Sequence, residues 1–362
     1  MRYRFLVAFG VTVGFCAVVG WPSAPIAAQG VPAANTATAG HWTVPKTPWG
    51  HPDLQGVWTT DLEIGVPIER PVELGEKAML TEAEYRQRVE TLKKRYADDK
   101  ANREGEVGNE QGPVHWYEGA QQVSYRTSLV IDPPNGRIPP YTPEAQKRVV
   151  RPGTELGFVG GSFGKGPFNG PEDLALTDRC ITRGLPQTWF PSEYNNGFQI
   201  VQSPDHVTIF YERLHEARVI PLDGSPHLTG QIRQWIGDSR ARWDGDTLVV
   251  DVTNFGEQTS FRKSSSTLHL IERYTRVDAD TVRIEVTVDD PTTWTRPWTL
   301  AVTGKKDPAY WQIFEYACHE GNYGMRNMLS GARAEERAAR KVLEKKTSGS
   351  NAGARTRRNS AK

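Results

Sequence analysis

A cysteine, a histidine and a carboxylate stand side by side in FEYACHEGNYGM, at Cys318, His319 and Glu320. A second His–Glu pair, His215 and Glu216, lies in YERLHEARVIPLDG, and another histidine, His269, begins HLIERYTRV. Histidine beside a carboxylate is the usual equipment for moving a proton, and histidines converging from several strands make a metal site. Adjacent residues on a strand point to opposite faces, so neither His–Glu dipeptide supplies two ligands from regular structure. The His-x-x-x-His and paired-cysteine spacings of zinc sites are absent. If His215, His269 and His319 converge they form a three-histidine site; otherwise each is an ordinary half-buried histidine held by backbone or carboxylate partners.

His269 would be positioned by a hairpin made of residues 268–277 and 281–290. With Asp278, Ala279 and Asp280 as the loop, Val277 faces Thr281, Arg273 faces Glu285, and His269 faces Asp289. Val282, Ile284, Val286 and Val288 then share one face, and Arg283, Glu285, Thr287 and Asp289 the other. Such a polar face is ordinarily covered by water. In a barrel with a polar interior it would line a cavity, and His269 with Asp289 would be a general base and its orienting carboxylate.

A further constellation is aromatic. TWFPSEYNNGFQI places Trp189, Phe190, Tyr194, Asn195 and Asn196 before a strand, and PTTWTRPW places Trp294, Arg296 and Trp298 after one. Trp and Tyr with Asn and Arg suit stacking on sugar or aromatic rings and hydrogen bonding to hydroxyls. The alternatives are that the Trp residues fill the core and that Asn195 and Asn196 make a turn. Serine-hydrolase elbows, dinucleotide fingerprints, haem-attachment motifs and calcium loops do not occur, so no cofactor is expected.

The elements that must hold these residues are mostly strands. From Asn196 onward FQIVQ, HVTIFYERL, QIRQWIGDS, DTLVVDVTNF, LHLIERYTRV, DTVRIEVTVDD, RPWTLAVTG and YWQIFEYAC follow one another between short turn signals, which predicts an antiparallel meander. RWDGDTLVVDVT and RVDADTVRIEVT are similar strand–turn–strand units, and tandem hairpins of this kind suit a sheet that curls on itself and hides its edges. Earlier, Thr81 and Glu84 form a capping box for the helix TEAEYRQRVETLKKRYADDK, with Tyr85, Val89 and Leu92 on one face. VSYRTSLVI predicts a strand, and Thr142 with Pro143 starts a short helix. GFVGGSFGKGPFNG reads as loop and not as a phosphate cradle. The domain expectation is one β-rich body over 48–330 with a partly helical insertion over about 75–190, then a helix and basic disordered tail over 331–362.

The chain opens with Arg2 and Arg4, an apolar run from Phe5 to Trp21, and PSAPIAAQG. That order predicts a signal peptide over 1–28, a flexible lead-in over 29–47, and a periplasmic or secreted mature protein without stable membrane insertion; the competing reading is an uncleaved anchor. The leader contains one of the three cysteines, and in an oxidising compartment the remaining two, Cys180 and Cys318, are expected to pair. The chain-entropy model assigns such a long loop about 4–5 kcal/mol. A formal net charge of +1 gives no reason to expect nucleic acid as a partner.

Gly56, Val57 and Trp58 resemble the Gly-x-Trp on the first strand of lipocalin-like, or calycin, barrels, where the Trp plugs one end. The partly helical stretch between Gly75 and Pro191 departs from that pattern. Across nearly all of the mature chain, TPWGHPDLQGVW, RTSLVIDPPNGRIPPYTPEAQ, EYNNGFQIVQ, RWDGDTLVVDVTNF, VDDPTTWTRPWT and FEYACHEGNYGM are similar to a group of uncharacterised exported bacterial proteins, a resemblance that implies location and no activity. The fold expectation is therefore mainly β, an antiparallel meander curled into a calycin-like barrel with a C-terminal helix.

Two functions are compatible with these residues. One is a binder of a small or medium-sized sugar or aromatic ligand, using Tyr194, Asn195, Asn196, His215, Trp294, Arg296 and Trp298. The other is a cofactor-independent lyase, isomerase or hydrolase. In it His269 or His319 is the base, Asp289, Glu285 or Glu320 its acidic partner, and Arg273 or Arg296 the stabiliser of developing negative charge.

Overall fold

The structure, a computed structural model, describes residues 42–103, 123–148, 168–192, 194–257 and 261–359. The leader, most of the lead-in, most of the glycine-rich loop and the last residues of the tail lie outside the described residues. From Thr43 onward the chain forms one unit.

In chain order the elements are β1 (Gly56–Thr59), α1 (Glu82–Arg103), β2 (Val130–Asp132), α2 (Pro143–Lys147), β3 (Gly197–Gln202), β4 (His206–Tyr211), β5 (Glu216–Pro221), β6 (Asp238–Asp244), β7 (Thr247–Thr253), β8 (His269–Asp278), β9 (Thr281–Asp289), β10 (Trp298–Lys305) and α3 (Tyr323–Asn359). The ten strands form one antiparallel sheet in the order β5-β4-β3-β1-β10-β9-β8-β7-β6, with β2 added beside β10. The protein is therefore mainly β, as the meander pattern predicts. The sheet curls until its two outermost strands, β5 and β6, approach each other. No ladder joins them among the described residues, so the curl is open.

Alternation decides what lies inside. Val282, Ile284, Val286 and Val288 of β9, Leu248, Val250 and Val252 of β7, and Leu270 and Tyr274 of β8 all point inward and are fully buried. Together with Phe198, Ile200, Ile209, Leu300 and Val302 they make a continuous core. Trp58 of β1 is inside as well, with the Arg276 guanidinium 5.5 Å and the Lys306 ammonium 5.0 Å from its ring.

The insertion contributes both cover and filling. The Thr81–Glu84 capping box is present, and Tyr85 of α1 stacks on Tyr125 with centroids 3.9 Å apart. Thr142 caps α2 by accepting from the Ala145 N–H at 3.1 Å. Trp189, on a short 3-10 turn (Gln187–Trp189), enters the curl and packs edge-on against Phe198, Tyr211 and Tyr274.

Three predicted strands need correction. QIRQWIG is a turn stretch, and β6 begins only at Asp238. Only Val130–Asp132 of the VSYRTSLVI region is strand. YWQIFEYAC alternates like a strand but runs as an irregular segment, since its alternate side chains have no second face to meet and side-chain and backbone anchors hold it instead.

Candidate functional site

The hairpin forms with His269 opposite Asp289 and Arg273 opposite Glu285, while its tip is bulged so that Asp278, not Val277, faces Thr281. The polar face points outward. His269, Asp289, Arg273 and Glu285 are each half-buried there, because the valine and isoleucine face has taken the interior. The expected partners also change. Arg273 pairs with Asp244 at 2.9 Å, and Glu285 with Arg283 at 2.6 Å. His269 Nε2 lies 2.9 Å from Asp251, whose other oxygen is 2.8 Å from Nε2 of His227. Nδ1 of His227 lies 2.8 Å from Asp238. His227, Asp238 and Asp251 belong to no motif, because a loop brings the first onto a face built from two strands.

The three histidines do not assemble. Among the described residues no group of His, Cys, Asp and Glu could hold a metal ion. His319 and Glu320 are exposed on the turn that follows Cys318. Trp294 and Trp298 are 1 % and 0 % exposed and pack against Phe261 and each other, so they are core residues and not a rim. Arg296 is on the surface, paired with Asp132 at 2.8 Å.

What the fold does assemble is a corner where β4 turns into β5. Leu214 and His215 both adopt left-handed backbone, at φ 63° and 51°, as does Asn195 at 55°. For a bulky residue such as Leu214 this is a rare conformation, which costs about 1–3 kcal/mol and persists only where its surroundings impose it. Here they do. Asn196 is buried and fixes the chain entering β3 beside the corner: its amide donates to Asp61 at 2.8 Å and to the Ser192 carbonyl at 2.7 Å, its oxygen accepts from the Ser192 N–H at 2.8 Å, and the Ser192 hydroxyl in turn accepts from Arg213 of the turn. Asn196 is thus a structural residue. The Arg213 guanidinium lies 4.7 Å from the centre of the Tyr194 ring. Burial pushes the Tyr194 hydroxyl up, against the lowering effect of Arg213, and a hydrogen bond with Tyr316 raises it further.

Residues 306–322 cross this corner as a strap. Its anchors are the Tyr310 hydroxyl on the Glu212 carboxylate, the Tyr316 N–H donating to His215 Nε2 at 2.8 Å, and the Cys180–Cys318 disulfide with Cα atoms 5.8 Å apart. The disulfide pairing is the one expected. Gly197 lets the strap approach, since a Cβ there would collide with the Tyr310 ring. Between the anchors Trp311 and Phe314 stay 70 % and 48 % exposed, and Tyr323 at the start of α3 is 68 % exposed.

Beneath the corner lies a buried charge cluster. Arg218, inward-facing on β5, reaches the Glu272 carboxylate of β8 at 2.5 Å and the Tyr274 hydroxyl at 2.9 Å. Trp189 Nε1 donates to the other Glu272 oxygen at 3.1 Å. Burial alone would lower the Arg218 pKa, but the adjacent Glu272 charge holds it well above its ordinary value. Burial likewise raises the hydroxyl pKa of Tyr211 and Tyr274. Glu216, raised by burial against the lowering effect of the Thr182 hydroxyl it accepts from, connects this cluster to the segment that carries Cys180.

Of the residues expected to bind ligand, the structure gathers Tyr194, Asn195, Asn196 and His215 at one corner and sends Trp294, Trp298 and Arg296 elsewhere. Trp311, Phe314, Tyr316 and Arg213 join that corner without having been singled out. The available signal was aromatic density: YWQIFEYAC places Tyr310, Trp311, Phe314 and Tyr316 within seven residues.

No protein-family model and no curated protein matches this chain. Among solved structures, a secretary abundant heat soluble (SAHS) protein from Ramazzottius varieornatus is 16% identical over 37% of this chain and 87% of its own, with a TM-score of 0.23. A likeness at that level carries no argument about this molecule.

Proposed function

We propose that this is an exported, β-rich protein that binds a small or medium-sized ligand bearing a sugar or aromatic ring at the strapped corner. The observation that carries the reading is the solvent exposure of Trp311 and Phe314 on a segment anchored at both ends. Flat aromatic faces held in place lose little entropy on stacking against a ring. Hydrogen bonding is at hand beside them. Because His215 Nε2 accepts from Tyr316, the proton of the neutral ring is on Nδ1, which is a donor at the exposed corner. The disulfide suits an oxidising compartment, in keeping with the leader-like N-terminal sequence and the resemblance to exported bacterial proteins. No described helix is long and apolar enough to cross a membrane.

Titration with a panel of oligosaccharides and aromatic acids, followed by tryptophan fluorescence and calorimetry, tests this. At least one class should bind, and Trp311→Ala should weaken it tenfold or more with an unchanged melting temperature. Equal affinity of wild type and variant, or no ligand in either class, overturns the proposal.

An acid–base enzyme is the second reading, favoured by one observation: His269 has a carboxylate, Asp251, at hydrogen-bond distance. Turnover abolished by His269→Asn and retained in His319→Ala would support it. Turnover indifferent to His269 would dismiss it.

A further inference from the structure

Helix α3 changes character along its length. In its first turns Met325, Met328, Leu329 and Ala332 are half-buried at i, i+3, i+4, i+7 spacing, and Arg333 donates to the carbonyls of Phe168 and Asn169. From Ala334 to Lys346 every residue is exposed. The helix nevertheless continues to Asn359, and the exposed stretch from Ala334 to Lys346 alone makes roughly 20 Å of this extension at 1.5 Å per residue.

The composition of that extension is one-sided. Between Arg337 and Lys362 there are nine basic residues and one acidic residue, Glu344. This stretch is therefore net +8 in a chain of net +1, which leaves everything before it at −7. The helix dipole accounts for basic residues only in the last turn, where Arg357 and Arg358 stand, whereas Arg337, Arg340, Lys341 and Lys346 lie more than three turns earlier. Arg337, Lys341 and Lys345 also repeat at i, i+4, a like-charge row that destabilises an isolated helix. Alongside it Ala338, Ala339, Val342 and Leu343 fall on one face, with Val342 52 % exposed.

We propose that this half of α3 docks the protein on an anionic lipid surface. A basic helix with a narrow apolar stripe lies in the headgroup plane, where anionic lipid neutralises the like-charge row and the stripe meets the acyl boundary. The negative remainder of the chain is repelled by the same surface, which orients the molecule with α3 toward the bilayer and the sheet away from it. The attachment is peripheral and independent of the strapped corner.

The test is co-sedimentation of the full chain with sucrose-loaded vesicles of phosphatidylcholine alone or mixed with phosphatidylglycerol, at low salt and at 0.15 M. Binding should require phosphatidylglycerol and weaken with salt. The R340Q/K341Q/K345Q/K346Q variant should lose it by at least tenfold, since each basic residue near such a surface contributes about a fivefold factor. These side chains lie beyond the packed turns, so the variant should keep the wild-type melting temperature. Absence of phosphatidylglycerol-dependent sedimentation, equal sedimentation of the variant, or charge-dependent self-association without vesicles overturns the proposal. So does equally tight, equally salt-sensitive binding to a DNA duplex, which would make the helix a general polyanion contact.

Discussion

Strand β8 carries an ion pair on each of its faces. Inward, Glu272 meets Arg218 with side chains 0 % and 2 % exposed; outward, Arg273 meets Asp244 with side chains 40 % and 59 % exposed. The residues are adjacent in sequence and the chemistry is the same, yet their energetic weight differs. Inside, each partner is intolerable without the other, because a lone buried charge has neither water nor counter-charge. Outside, water already solvates both partners and the Coulomb gain is small. Burial, and not the presence of a pair, decides what a substitution does.

The largest effect should come from breaking the inner pair. Glu272→Ala is expected to cost about 3–5 kcal/mol in urea denaturation, whereas Arg218→Met with Glu272→Leu should recover much of that loss. If the double replacement is as unstable as the single one, the cost belongs to packing against Trp189 and Tyr274 and not to the stranded charge.

Glu216 sharpens the contrast at intermediate burial. Its pKa is raised in the folded state by burial. Stability from this group is therefore fully present below the unfolded carboxyl pKa of about 4.3 and is lost as pH rises through the higher folded value. Glu216→Gln, which can still accept from Thr182, should flatten the stability profile above that pH and raise stability near neutrality. A profile identical to wild type would show that Glu216 titrates alike in both states.

The inner pair also marks how far reading residues in order could go. Alternation in TVRIEVTVD was enough to pair His269 with Asp289 and to group four apolar residues of β9, because both follow from period two and a tight turn. It could not say that Asp251 would take His269, since Asp251 comes from the neighbouring strand β7 and its rotamer is also drawn by His227 from a loop. YWQIFEYAC misled for the opposite reason: its alternation is real, but no strand lies beside it.

The smallest effect should be on the outer face. Arg273→Ala is expected to change stability by less than about 1 kcal/mol, and less at high salt. A loss as large as that of Glu272→Ala would erase the distinction between the two faces of β8.

What the amino-acid sequence determined by itself is local or entropic in origin: the strand periodicity, the capped α1 and α2, and two cysteines outside the leader-like segment that an oxidising compartment would join. Tertiary structure alone decided which side of the sheet became the interior, how the β4–β5 turn entered left-handed backbone, and how the strap came to hold Trp311 and Phe314 over it. The physical reason is that desolvation and strain depend on everything within a few ångströms of a side chain, and that neighbourhood is assembled from segments as distant as Cys180 and Cys318, 138 residues apart.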